Sequence, residues 1–160
     1  MCYNNPISRL FGGLFTVMAL KMRFLYYSNK SKMKTIAESV KAEFDLAAAN
    51  AIDIIPPAYS CENERLVILA VSGKGEPNDV LRRFCLELNK KKAQNVALLV
   101  DGDEKMGAKL SEAVKQTGTN FIDNVKYIKI GGLPFLAGKL TDDEKSDILA
   151  WVHSIVDTMQ

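Results

Sequence analysis

The stretch Ser28-Asn29-Lys30-Ser31-Lys32-Met33 gathers hydroxyl, amide and ammonium groups into one short polar turn. An apolar run, Met22 to Tyr27, leads into it. Met33, Ile36, Ala37, Val40 and Phe44 then recur at helical spacing. Strand, polar turn and helix open a βαβ unit. In open α/β sheets, ligands sit at strand carboxyl ends, where helix N-termini present partial positive charge. A small-molecule site is therefore expected first at Ser28 to Met33. A second group is Asp101-Gly102-Asp103, a carboxylate pair that could hold Mg2+ at a strand end or form a solvated turn, the simpler reading.

Other chemistries lack their residues. The chain has no Ser-His-Asp arrangement, nucleophile elbow, metal-ligand cluster or Walker loop. His153, the single histidine, has no partner arranged around it in the sequence and reads as structural. Cys2, Cys61 and Cys85 show no CxxC or metal spacing, which suits a reduced, cytoplasmic setting. Cys85 falls on a helix face and reads as a small core hydrophobe.

The elements that must position these residues alternate regularly. A first helix is expected over Met33 to Ala49, with Lys34, Glu38, Lys41 and Asp45 on its wet face. Ala51 to Ile55 reads as a short strand ended by Pro56 and Pro57. Leu66 to Val71 and Val96 to Val100 are continuous apolar runs, the mark of strands buried on both faces. Between them Asn78 caps a helix carrying Val80, Leu81, Phe84, Cys85 and Leu88 inward and ending at Lys90 to Lys92. A third helix spans Met106 to Thr117, with Gly118 as its stop, and Val125 to Ile130 is the last strand. Thr141 and Glu144 form a capping box for a closing helix that runs to Met159. Five strands alternating with four helices predict a parallel sheet covered on both faces.

At 160 residues the chain is long enough for one domain with a real core. Its 21 basic and 19 acidic residues leave a net charge of +2, too balanced to argue for nucleic acid or an anionic membrane. Residues 1–21 differ: they contain no acidic residue, and Leu10 to Leu20 is almost wholly apolar. That run is shorter than the roughly 20 residues a bilayer span needs, so stable membrane insertion is not expected. The reading adopted is an N-terminal extension over 1–21, upstream of a start at Met22 or Met18, and a domain over 22–160. A packed amphipathic segment and an export signal are the alternatives.

The residues also resemble a known family. Phe24-Leu25-Tyr26-Tyr27-Ser28, continued by Ala37 and Val40, resembles the flavodoxin signature of an aromatic strand end, a hydroxyl residue and a helix opening with Ala and an aliphatic residue. Leu66 to Val71, followed by Gly, Pro and a helix with Leu81 and Phe84, is similar to that family's third strand and its sequel. Phe135-Leu136-Ala137-Gly138-Lys139-Leu140 resembles the F-x-x-G-K-L stretch before its last helix. The resemblance covers most of Met22 to Met159. It implies a flavodoxin-like, doubly wound three-layer α/β sandwich with a five-stranded parallel sheet of order 2-1-3-4-5. It also implies FMN at the strand carboxyl ends and electron transfer to a redox partner protein, rather than an enzyme with its own substrate.

On that resemblance, Ser28, Asn29, Lys30, Ser31, Lys32 and Met33 would hold the FMN phosphate. Ser72, Gly73, Lys74, Gly75, Asp101, Gly102 and Asp103 would line the ring. The main-chain N–H groups of Gly73, Gly75 and Gly102 could reach the ring's N5 and pyrimidine edge; the other reading of each glycine is a turn after a strand. The sequence departs from the family at several points. Ser31 stands where the phosphate loop has glycine, and Met33 where it has a final threonine. Lys30, Lys32 and Lys34 add charge in compensation, or form a solvated turn with no phosphate. Neither Val71 to Pro77 nor Asp101 to Gly107 holds an aromatic residue to stack on a flavin; Tyr59 could fold over the site from its connection. The alternative function is therefore a flavodoxin-fold binding or interaction module that has lost the flavin.

Overall fold

In a computed structural model, residues 21–46, 49–51, 61–130 and 139–159 are described. Two eight-residue strands, β3 (Leu66–Gly73) and β4 (Asn95–Gly102), form the centre of a parallel sheet. β1 (Met22–Tyr27) pairs with β3, and β2 (Ala49–Ala51) pairs with β1. β5 (Asn120–Phe121) and β6 (Lys126–Ile128) both pair with β4. The hydrogen-bonded path is β2-β1-β3-β4-β5, with β6 also on β4, and every pairing is parallel.

The helices are α1 (Ser31–Phe44), α2 (Asp79–Glu87), α3 (Glu104–Gln116) and α4 (Asp142–Asp157). They lie on both faces of the sheet, because the strand side chains alternate. Phe24, Leu66, Ile68, Ala70, Ala97 and Leu99 pack with Met33, Ile36 and Val40 of α1 and Ile148, Val152 and Ile155 of α4. Leu25, Val67, Leu69, Val71, Leu98 and Val100 pack with Leu81, Phe84 and Cys85 of α2 and Leu110 and Val114 of α3. The α/β class and the two-sided burial of the central strands follow the expectation from the apolar runs.

Several boundaries differ from those expected. α1 begins at Ser31 and closes at Phe44, short of Ala49. Asp45 takes the left-handed conformation (φ 51°), and both its N–H and that of Leu46 bond to the Lys41 carbonyl. That is a Schellman-type stop without glycine, which Asp tolerates. β2 starts at Ala49, where register with Phe24 places it, rather than at Ala51; the expected Ile52 to Ile55, Pro56, Pro57 and Tyr59 lie outside the described residues. α2 ends at Glu87, ahead of Lys90 to Lys92. The Asn89 carboxamide oxygen accepts the N–H groups of Lys91 (3.0 Å) and Lys92 (3.3 Å), a local bond that competes with the helix.

The expected last strand over Val125 to Ile130 is shortened to β6, Lys126–Ile128, and a two-residue strand that the sequence did not suggest, β5, precedes it on the same edge. Three steps along β4, Val96 to Leu99, face five on the edge, Phe121 to Lys126. The two extra residues bulge out around Asp123-Asn124, and Trp151 Nε1 of α4 donates to the Asn124 carbonyl at 2.9 Å. At α4 the capping box is present: Glu144 N–H donates to Thr141 Oγ1 (3.2 Å) and Thr141 N–H to Glu144 Oε2 (2.9 Å). No helix among the described residues is long and apolar enough to cross a membrane. The extension expected over 1–21 lies outside the described residues apart from Lys21, as do Gly131, Gly132 and Phe135 to Gly138 of the F-x-x-G-K-L stretch.

The β3–β4 ladder runs to a glycine pair, Gly73 opposite Gly102. A Cβ at Gly102 would fall on the Gly73 carbonyl oxygen. Backbone cannot yield there without parting the two strands. Gly102→Ala should therefore destabilise by roughly 1–3 kcal/mol or more, the overpacking range. Gly75→Ala, at φ +75° in open space, should cost only about 1 kcal/mol. Urea melts of the two variants check the order, and equal midpoints would refute it.

Candidate functional site

Four chain segments meet above the carboxyl ends of the strands: the turn after β1, the ends of β3 and β4, and Lys129-Ile130 after β6. They enclose a cleft of about 410 Å³ lined by Lys30, Gly73, Lys74, Asp101, Gly102, Lys129 and Ile130. Five of the thirteen expected site residues line it: Lys30, Gly73, Lys74, Asp101 and Gly102.

Its central contact joins residues 71 positions apart. Lys30 Nζ donates to Asp101 Oδ2 at 2.6 Å and to the Ile130 carbonyl at 3.2 Å. Asp101 Oδ1 accepts the Ile130 N–H at 2.8 Å. Asp101 is 6% exposed, so it is not the solvated turn residue expected; burial holds because both oxygens are paired. Asp103, expected to act beside it, faces another way. It is the N-cap of α3, accepting the Met106 N–H at 2.9 Å and the Gly75 N–H at 3.0 Å. Those two backbone bonds, the one from Met106 foremost, hold its carboxyl below the ordinary carboxylate range. The two aspartates therefore do not form a metal pair. Among the described residues no group of three or more His, Cys, Asp or Glu could hold a metal ion.

The turn after β1 differs from the loop of free cations expected. Ser28 Oγ lies 2.7 Å from Ser72 Oγ and accepts the Lys30 N–H at 3.1 Å. Lys32 Nζ donates to Glu144 Oε1 at 2.7 Å, tying α1 to the start of α4. That bond is the main reason Glu144 also stays below the usual carboxylate range. Lys30 and Lys32 are thus paired; Lys34 is exposed with no ion pair among the described residues. Asn29 and Ser31 are exposed, whereas the Met33 side chain is wholly buried in the core and its N–H returns to the Lys30 carbonyl.

Of the four helices, α1 alone opens without a side-chain cap and without a carboxylate in its first turn. Its opening N–H groups have no side-chain acceptor of their own, and the carboxylates that approach the opening, Asp101 and Glu144, are held by Lys30 and Lys32. The Gly75 N–H, expected to reach a flavin ring, is engaged by Asp103. Gly73 and Gly102 contribute backbone to the cleft lining. No aromatic residue lines the cleft among the described residues. The Tyr27 hydroxyl is instead bonded to Asn78 Nδ2 at 2.6 Å.

Neither described cysteine is a nucleophile. Burial pushes Cys61 up to about 11 and Cys85 up to about 12. His153 does have a partner that the sequence did not reveal: Nε2 lies 2.7 Å from Glu43 Oε1, with the ring 4.6 Å from Phe44. That pair lies between α1 and α4, away from the cleft. The sequence also held no signal for Lys129, which joins the cleft only because β6 ends beside β4. No family model matches the chain, and no curated protein matches it.

The two capping carboxylates set a pH dependence. Both are held below their ordinary values, 3.8 for Asp103 and 4.5 for Glu144. The unfolded chain therefore takes up protons first on acidification. The stability they contribute is complete above those ordinary values and is lost as the pH falls through the lower folded values. Asp103→Asn with Glu144→Gln keeps hydrogen-bonding groups but removes both titrations. Urea melts at pH 6 and pH 3 should show a smaller acid loss in the double variant; an equal or larger loss would overturn the assignment.

Proposed function

We propose that this chain is a flavodoxin-like domain that binds FMN at the carboxyl ends of its strands and takes part in one-electron transfer with a partner protein in the cytoplasm. The observation that supports it most is the opening of α1: a helix N-terminus with no side-chain cap and no acidic first turn, whose N-cap residue Lys30 lines a cleft of mononucleotide scale. The sheet path suits the 2-1-3-4-5 order, with β5 and β6 standing for its fifth strand. Main-chain N–H groups at Ser31 and Lys32, with Lys34 nearby, would hold the phosphate. The bare backbone at Gly73 and Gly102 would pass beside the ring. When bound, FMN supplies the redox chemistry; the protein supplies binding and electrostatics. Without an aromatic stack, affinity should be lower by something on the order of 1–3 kcal/mol, taking base stacking as the measure.

A second reading is a flavodoxin-fold binding module without flavin. The Lys30–Asp101 bridge across the cleft and the absence of an aromatic residue among its described lining favour it.

Purified full-length chain, mixed with excess FMN and separated from the unbound part, should retain visible flavin bands with quenched fluorescence. Ser31→Gly should bind FMN as well or more tightly. Ser28→Asp should bind it roughly tenfold or more weakly, by setting a carboxylate beside the phosphate. A colourless protein that takes up no FMN would replace the flavin reading with the second one.

A further inference from the structure

The cleft carries more positive charge than its own residues neutralise. Lys30, Lys74 and Lys129 converge on it from three different loops, and Asp101 is the one carboxylate among its described lining residues, so the excess of that lining is +2; Asp103, which caps α3 outside the lining, lies within electrostatic reach of Lys74. Lys74 and Lys129 are exposed and make no ion pair with a described residue. Several lysines around the cleft are matched, Lys32 with Glu144, Lys105 with Glu76 and Lys126 with Asp147, whereas Lys34 on α1 is not matched by a described residue. Asp101 is fixed on both oxygens, which fixes Lys30 in turn. The Lys30 ammonium gives two donors to Asp101 and Ile130, and its third remains for a ligand.

We propose that this cleft is itself a phosphoryl-group site, in which Lys74 and Lys129 close on a dianion that the buried Asp101 holds Lys30 in place to meet. Lysine binds phosphate as a point charge and needs no bidentate geometry. An excess of two positive charges matches a phosphate dianion and exceeds what a carboxylate would neutralise. Gly73 and Gly102 are part of the cleft lining, so phosphate oxygens there would meet backbone as well as ammonium groups. The site shares Lys30 with the opening of α1 and shares Gly73 and Gly102 with the ring position of the FMN reading, but it needs no flavin, so phosphate alone tests it.

Inorganic phosphate titrated into the 15N-labelled full-length chain tests it. Saturable amide shifts are expected at Gly73, Lys74, Gly102 and Ile130. Lys74→Met with Lys129→Met should weaken phosphate at least tenfold. Lys90→Met with Lys91→Met removes the same charge from the opposite end of the sheet and should change affinity less than twofold. Equal losses in the two double variants would reduce the effect to net charge and overturn the proposal. So would shifts centred on Ser31 and Lys32, an outcome that keeps phosphate at α1 and leaves the FMN reading intact. Phosphate shifts at the cleft in a chain that takes up no FMN would retain this site and remove the flavin.

Discussion

The parallel pairing of β3 with β4 is the constraint from which the site follows. Seven residue pairs run in register from Val67–Val96 to Gly73–Gly102. Each strand is buried on both faces, so a shift of one residue would exchange the two cores, moving Leu69 toward α1 and Ile68 toward α2. Register is therefore set by the whole apolar content of the sheet centre. The glycine pair at its end keeps the backbones paired where side chains would force them apart. That places Ser72 and Asp101 side by side and brings Gly73 and Gly102 into the lining of the cleft. The walls of the cleft are thus a consequence of how the core packs.

On this frame one buried carboxylate ties three loops. Among the described ion pairs, only Lys30–Asp101 and Arg23–Glu64 place a carboxylate under a tenth exposed. The remaining pairs place their carboxylates in water, where such contacts are worth about 0–1 kcal/mol. Asp101 differs because removing its partners would leave a buried charge, which costs more than the pair itself contributes. Its bonds to Lys30 and to the Ile130 N–H hold the turn after β1 and the chain after β6 against the end of β4. The edge strand needs that anchor. β6 makes only three register pairs after the bulge at Asp123-Asn124, and Trp151 supplies the other fixed point.

What the sequence reveals here depends on the range of the interaction. Leu66 to Val71 and Val96 to Val100 announce buried strands because burial on both faces is written in six or fewer consecutive residues. Asn78 and Thr141 announce helix starts because a cap acts within three residues. Asp103 has the same local logic, yet it reads as a possible metal ligand beside Asp101 until the structure shows the two carboxylates facing apart. The end of α1 at Asp45 is harder to read, since a left-handed Asp leaves no glycine to mark it. Lys30 with Asp101, His153 with Glu43 and Lys129 in the cleft have no local signature at all. Each depends on which strands become neighbours. The loop lysines illustrate the limit: their spacing reads as free charge, while long-range packing commits Lys30 and Lys32 to carboxylates on other elements.

Lys30 links the two places where an anion could sit. Its backbone is the first residue before α1, so its carbonyl and dihedral angles set the direction of that helix opening. Its ammonium lies in the cleft, against Asp101. An anion at the helix opening meets N–H groups, whose field fades within a turn. An anion in the cleft meets ammonium groups, whose mutual repulsion it relieves. The second position has the larger electrostatic gain at contact, and the larger loss as salt rises, because exposed charges are screened over about 8 Å at physiological ionic strength. A flat ring gains from neither unless a π surface covers it, and none lines this cleft among the described residues. On either proposal the residues would recognise charge before shape, and the anionic group of a ligand would determine where it binds.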